Sequence, residues 1–112
     1  MGAFDNLRVT SAASAHGDVV MQLEGELDLG TVPILVDALD DLLDGDPVAI
    51  ELDMSQLTFI DSSGVGAYVT AFRRARAKGS RLTLGERSAP VERVLQLSGV
   101  EAALAREAGE EV

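Results

Sequence analysis

The residues best suited to chemistry lie in one short segment, Asp61-Ser62-Ser63-Gly64-Val65-Gly66. Two hydroxyls follow a carboxylate, and two glycines fall in the first turns of a predicted helix. Each glycine there costs up to about 1 kcal/mol relative to alanine, and no packing pattern in the sequence requires either one. We therefore expect Gly64 and Gly66 to leave a bare helix start, whose N–H groups an anion or another protein surface can approach closely.

The roles of Ser62 and Ser63 stay open at this point. Serine is a preferred N-cap, so one of them is expected to bond a free N–H and to contribute about 1 kcal/mol. As a nucleophile, a serine needs a base within hydrogen-bond reach, and His16 on a predicted turn and Lys78 at the far helix end do not supply one. A hydroxyl that another protein modifies needs only exposure and a surface that the modifying enzyme can grip.

Composition removes most other chemistry. The 112-residue chain has no cysteine and one histidine, which excludes thiolate zinc sites, disulfides and multi-histidine metal sites. A phosphate cradle built on the two glycines would normally come with a Gly-Lys-Ser/Thr loop, and the sequence contains none. We predict no catalytic residue, no cofactor and no metal, and hence no enzyme.

Charge points to a protein partner. Residues 1–61 carry 13 acidic side chains against Arg8 alone, and the whole chain has a net charge of −10. Nucleic acid would be repelled, whereas a partner that presents positive charge would be attracted; acidity that serves only solubility is the alternative. No apolar run approaches the roughly 20 residues that span a bilayer, so we expect a cytoplasmic protein without a membrane segment.

The length predicts a single domain over 1–112, with a core of about 5–108. Apolar spacing and turn residues predict the order strand, strand, helix, strand, helix, strand, helix, which is a small α/β domain with helices packed on a mixed sheet. The chain after Gly99 is open between a short helix and an edge strand. The main predicted elements are strands at 7–10, 19–25, 48–53 and 81–85, and helices that begin near Thr31, after Asp61 and near Ser88.

Several details of these elements are specific enough to check. Gly25–Gly30 is expected to be a turn, and Val48 is expected to face inward with Ile50 and Leu52. Phe59 is grouped with apolar neighbours that lead into the serine segment. The helix after Asp61 is predicted to present an apolar stripe of Val65, Tyr68, Val69 and Phe72. Its basic residues are interpreted as a solvated face, with a docking surface as the alternative: Arg73, Arg74, Arg76 and Lys78.

Three segments together resemble a known family. Phe59–Gly66 is similar to the phosphorylation-site segment of bacterial STAS-domain anti-sigma factor antagonists, also called anti-anti-sigma factors. Gly25-Glu26-Leu27-Asp28 resembles the family's earlier signature loop, and Leu97-Ser98-Gly99-Val100 resembles its third landmark, at the end of a late helix. The resemblance implies a STAS-like α/β fold, a mixed four- or five-stranded sheet with helices packed chiefly on one face.

The resemblance also implies a function and site residues. The hydroxyl directly after the aspartate, Ser62, is the implied phosphoacceptor, with Ser63 as the alternative. The unphosphorylated antagonist binds an anti-sigma factor serine kinase and releases its sigma factor in transcription regulation, in settings such as stress response or sporulation. A serine phosphatase restores the binding form. The implied partner-binding residues are Asp28, Asp61, Ser62, Ser63, Gly64 and Gly66; the alternative function is a constitutive STAS adaptor or scaffold in which Ser62 only caps its helix.

Overall fold

The protein folds as a mixed four-stranded sheet with four helices, in a computed structural model that describes residues 6–14 and 16–109. The ends of the predicted domain, 1–5 and 110–112, lie outside the described residues. The elements in chain order are β1 (Leu7–Ala13), β2 (Asp18–Leu27), α1 (Val32–Leu43), β3 (Ala49–Ile60), α2 (Ser62–Ala77), β4 (Arg81–Arg87), α3 (Ala89–Ser98) and α4 (Val100–Glu107).

The sheet order follows the chain, β1-β2-β3-β4. β1 and β2 form an antiparallel hairpin, and Gly17 occupies the left-handed region at its turn, with φ of +82°. β3 runs parallel to β2 and to β4. Because β2 and β3 are parallel neighbours, the segments that follow both strands leave the sheet at the same edge.

The helices cover one face of this sheet, as expected. Along β2 the side chains of Met21, Leu23 and Leu27 are fully buried, whereas the alternate residues Val20 and Gln22 are exposed. All four helices contribute to the same core cluster. The one-sided burial is the physical counterpart of the alternating apolar pattern in the strands.

β3 is longer and less regular than predicted, because it joins the predicted strand 48–53 and the apolar cluster after it into one strand. Its pairing with β2 is irregular at two places, and β3 has one extra residue at each. The first lies between the pairs Gln22–Asp53 and Glu24–Gln56, and the second is Thr58, between the pairs Gly25–Leu57 and Glu26–Phe59. Each irregularity reverses which face the following β3 side chains occupy.

The second reversal, at Thr58, explains why the Phe59 side chain is exposed. Leu57 and Ile60 both point into the core although they are three residues apart, and Phe59 is 46% exposed. The Thr58 hydroxyl donates a hydrogen bond of 3.0 Å to the Gly25 carbonyl at the irregularity. Simple alternation after Leu57 would have put Phe59 inside, and the apolar grouping of Phe59 with its neighbours in the sequence does not indicate that its side chain is exposed.

Four other expectations need correction or completion. Val48 precedes β3 and is exposed, since the chain is still leaving its turn there. Gly25 and Leu27 belong to β2, and only the residues after Leu27 turn. The open choice after Gly99 is a helix, α4. Ser88 stands at the N-cap position of α3, but its hydroxyl donates to the Leu57 carbonyl at 2.6 Å instead of accepting from the helix.

Helix α2 packs through small side chains. Besides Tyr68, its buried residues are Gly64, Ala67, Ala71 and Ala75. The predicted stripe residues Val65, Val69 and Phe72 are only partly buried against the core. Small residues let the helix axis lie close to its neighbours, which is why the apolar stripe read from the sequence was displaced to the flank of the true contact face.

The basic end of α2 is tied to the rest of the fold. Arg73 donates to both carboxylate oxygens of Glu107 on α4, at 2.8 and 2.6 Å, and Arg74 donates to both oxygens of Asp40 on α1. These two arginines are therefore engaged within the chain. The hydrogen bond from Arg73 is the main cause that lowers the pKa of Glu107 from its usual value; desolvation opposes it, and the charges of Arg73 and Arg76 add to the lowering.

We predict that Arg73→Gln raises the pKa of Glu107 toward the usual value of a glutamate, because the substitution removes the hydrogen-bond donor and the charge that favour the carboxylate. With the folded-state pKa below the unfolded one, the pair stabilises the fold at neutral pH, and this contribution is lost as the pH falls through the lowered pKa. NMR titration of the Glu107 carboxyl measures the change, with Arg93→Gln as the control. Identical titrations in the two variants would contradict the ion pair.

Candidate functional site

The candidate site lies where β2 and β3 end side by side. Leu27 pairs with Ile60 in the parallel register, so the next residues, Asp28 and Asp61, leave the sheet at the same edge. The Asp61 N–H points to the Leu27 carbonyl at 3.4 Å. Two residues that are 33 positions apart in sequence are thus placed as neighbours by strand pairing alone.

Asp61, and neither serine, is the N-cap of α2. It has extended backbone angles, and its Oδ1 accepts a hydrogen bond of 3.0 Å from the Gly64 N–H. Its carbonyl accepts from the Val65 N–H at 2.9 Å. The expectation that Ser62 or Ser63 caps the helix was wrong, because aspartate is an equally good cap and the helix begins one residue earlier than that role needs.

The two serines occupy the first two positions of the helix. Ser62 is exposed and Ser63 is half-buried. Among the residues that the structure describes, neither hydroxyl has a hydrogen-bond partner. The N–H groups at these first positions also have no acceptor within the helix, so a hydroxyl and a positive helix end face solvent together.

Asp28 is held in a tight turn before α1. Its Oδ1 accepts from the Thr31 N–H at 3.1 Å, and its own N–H donates to the Thr31 hydroxyl at 3.0 Å. That hydroxyl, which is nearly inaccessible, donates to the Glu26 carbonyl at 2.8 Å. Thr31 is the N-cap of α1 by position, but its side chain secures the preceding turn and does not bond the helix.

The two glycines have different reasons for being glycine. A Cβ on Gly64 would lie 2.5 Å from the Leu27 carbonyl oxygen and 2.6 Å from Ile60 Cγ1. A Cβ on Gly66 would meet nothing within 4 Å. Packing therefore requires Gly64, contrary to the expectation from sequence, and only the exposed Gly66 matches the predicted bare surface.

The two bases considered in the sequence, His16 and Lys78, both lie far from Ser62. His16 lies in the β1–β2 turn, at the opposite end of the ten-residue β2, about 30 Å away along the strand. Lys78 follows the sixteen-residue α2, about 24 Å along the helix. Within 6–14 and 16–109, no cluster of His, Asp and Glu is arranged to hold a metal ion, and no helix is long and apolar enough to cross a membrane.

The third segment singled out in the sequence forms the corner between α3 and α4. Gly99 is left-handed there, with φ of +67°, and ends α3 as predicted. The Ser98 hydroxyl donates to the Leu95 carbonyl at 2.8 Å and accepts from the Val100 N–H at 3.2 Å. These bonds give the segment a structural role in turning the chain.

Comparison with known proteins decides the family. The family model described as "Mlab, STAS domain" matches residues 10–106, which is most of the chain. The protein belongs to the STAS-domain family. The match covers all three segments that carried the resemblance, and it covers the sheet from Thr10 in β1 onward.

Two curated relatives of this STAS domain are named as anti-sigma factor antagonists. The anti-sigma-B factor antagonist of Listeria monocytogenes is 29% identical over 95 residues, which is 85% of this chain and 82% of the relative. The anti-sigma-F factor antagonist RsfB of Mycobacterium tuberculosis is 34% identical over 65 residues, covering 58% of this chain and 52% of RsfB.

Solved structures agree on the fold. The anti-sigma factor antagonist SpoIIAA in its unphosphorylated form is 28% identical, with a TM-score of 0.70 over 91% of this STAS domain and 97% of that chain. SpoIIAA from Bacillus has also been solved in its phosphorylated form, with a TM-score of 0.65 over 85% of this chain and 86% of that one, again at 28% identity. An antagonist from Mycobacterium paratuberculosis, at 22% identity, has a TM-score of 0.78 over 92% and 86%.

We predict that Asp61→Ala lowers the free energy of unfolding by about 1 kcal/mol, because the Gly64 N–H loses its acceptor. Ser62→Ala should change it by less than about 0.5 kcal/mol, since that hydroxyl makes no bond in the fold. Urea unfolding measures both, and Asp61→Asn, which retains an N-cap oxygen, is the control. Equal losses in the two alanine variants would contradict the prediction that Asp61 caps the helix while the Ser62 hydroxyl makes no stabilising bond.

The glycines provide an opposed pair. Gly64→Ala should lower the free energy of unfolding by about 1–3 kcal/mol, because the methyl group would overlap backbone and side-chain atoms. Gly66→Ala should raise it by about 0.5–1 kcal/mol, because alanine favours the helix and has open space there. Thermal unfolding of the two variants checks the sign of each change. A lower unfolding temperature for Gly66→Ala than for the wild type would contradict the open space beside Gly66.

Proposed function

We propose that this STAS domain is a phosphorylation-switched anti-sigma factor antagonist, with Ser62 as the phosphoacceptor. The unphosphorylated form binds an anti-sigma factor serine kinase and frees its sigma factor, and phosphorylation ends the binding. A serine phosphatase returns the domain to the binding form. This cycle runs in the cytoplasm, and the domain itself performs no catalysis.

One observation carries the proposal: the Ser62 hydroxyl is exposed and unbonded at the start of α2. A kinase can reach it without disturbing the fold, since Asp61 and not Ser62 caps the helix. Ser63 is the alternative acceptor, but it is half-buried. The names of the relatives and the existence of both forms of SpoIIAA support the same cycle.

The charge change is large at this position. A phosphate adds about −1.5 to −2 charges, beside the carboxylate of Asp61 and at the edge that Asp28 shares. The free N–H groups of the first helical turn can hold the phosphate, so the domain stays folded. A bound partner would instead meet added bulk and added negative charge; a loss of 3–4 kcal/mol weakens binding about several hundredfold.

The proposed binding surface includes both aspartates and the first turns of α2. Gly66 contributes open space beside Ser62, where a partner can come close to the helix backbone. Gly64 is buried and contributes by fixing where the helix starts. The full set is Asp28, Asp61, Ser62, Ser63, Gly64 and Gly66.

We predict that incubation with the cognate anti-sigma kinase and ATP adds one phosphate, found on Ser62 by peptide mass mapping. Ser62→Ala should abolish incorporation yet bind the kinase like the wild type, and Ser62→Asp should bind at least tenfold more weakly because of its charge. Ser63→Ala is the matched control for the acceptor, which should still take up one phosphate on Ser62.

The alternative, a constitutive adaptor, gives a different pattern in the same assay. No phosphate would be incorporated with any kinase encoded beside a sigma factor gene, and Ser62→Asp would bind every partner as the wild type does. If the phosphate is found on Ser63 and the Ser62→Ala variant is phosphorylated like the wild type, the switch is retained and Ser63 is the phosphoacceptor.

A further inference from the structure

Two of the exposed apolar side chains lie at the same sheet edge as Ser62. Leu29 is 76% exposed in the turn after β2, and Phe59 is 46% exposed at the end of β3. Single exposed apolar residues are ordinary on any protein surface. These two differ because strand pairing brings them to one edge: Phe59 pairs with Glu26, and Leu29 follows three residues later.

The backbone holds Phe59 outward. The extra residue Thr58 reverses the alternation of β3, so that Ile60 enters the core and Phe59 faces away from it. Among the described aromatic residues, Tyr68 is buried and Phe72 packs partly against the core, so Phe59 is the one that is exposed. Strand irregularities of this kind often re-aim a side chain beside a functional site.

Leu29 is also presented on a fixed backbone. It lies between Asp28 and Thr31, whose main chains and side chains exchange hydrogen bonds of 3.0 and 3.1 Å. The buried Thr31 hydroxyl anchors this turn to the Glu26 carbonyl. A side chain held on such a turn loses little backbone freedom when a partner covers it, which favours binding.

The charged side chains beside Leu29 and Phe59 on β2, β3 and the turns that follow them are acidic, and Arg87 at the end of the neighbouring β4 is paired with Glu92 and Glu101. Glu26, Asp28 and Asp61 lie at this edge, whereas α2 has no basic residue before Arg73. Arg73 and Arg74 are occupied by Glu107 and Asp40. A partner that fits here therefore presents an apolar surface flanked by arginine or lysine, which is the usual arrangement of an apolar centre within a charged rim.

We propose that Leu29 and Phe59 form the apolar centre of the surface that binds the anti-sigma factor, with Phe59 as the aromatic anchor. This inference rests on the proposed function and adds the residues that supply affinity and select the partner. The acidic rim governs the approach of the two proteins, and Ser62 phosphorylation acts on that rim.

Binding of the purified anti-sigma factor to the full chain, measured by calorimetry, tests the proposal. Leu29→Ala and Phe59→Ala should each raise the Kd at least tenfold, with unchanged circular dichroism. Val48→Ala and Leu97→Ala are matched controls, because Val48 is 64% exposed at the opposite end of β3 and Leu97 is 83% exposed on α3. Both controls should stay within twofold of the wild type.

The outcomes separate this inference from the proposed function. If the wild type binds and Ser62→Asp does not, but the Leu29 and Phe59 variants bind like the controls, the apolar centre is overturned and the switch survives. If the wild type does not bind, the proposed function fails first. Should Phe59→Ala unfold, Leu29→Ala decides, since that side chain is mostly in solvent; a tenfold loss supports the proposal and a normal Kd overturns it.

Discussion

The close contact between the start of α2 and the end of β2 is the constraint on which the site depends. Gly64 lies so near the Leu27 carbonyl and Ile60 that even a methyl group does not fit. The same residue donates its N–H to the Asp61 cap, so packing and capping fix the helix start together. Because that start is fixed, the exposed residues on either side of Gly64, which are Ser62 and Gly66, face solvent in a defined place beside the Asp28 turn.

In the proposed switch, phosphorylation changes binding without unfolding the domain, and the capping arrangement is compatible with this. Asp61 satisfies the helix, and the Thr31 hydroxyl satisfies the turn around Asp28, so neither element depends on the Ser62 oxygen. A helix start with free N–H groups accommodates an anion, whereas the neighbouring carboxylates make the same anion costly at a closed interface. The fold and the proposed switch thus use different atoms of one short segment.

Irregular pairing between β2 and β3 shapes the surface beside that segment. Two extra residues in β3 keep Met54, Leu57 and Ile60 in the core while their spacing departs from strict alternation. The second irregularity turns an aromatic side chain outward next to an acidic rim. Without the second irregularity, alternation from Leu57 onward would bury Phe59 and leave Ile60 exposed. A strand with neither irregularity would keep Ile60 inside but would turn Leu57 out of the core.

The sequence by itself determined the parts that depend on local spacing. Leu35, Leu39 and Leu43 recur at helical intervals and are the buried face of α1, Gly99 stops α3, and the serine segment with the earlier Asp28 loop identified the family. Tertiary structure decided which glycine is needed for packing, which residue caps α2, and that Phe59 is exposed. The physical reason is that periodicity reports contacts within one element, whereas these three outcomes depend on β2 lying against β3 and α2. No local pattern specifies that distance or register.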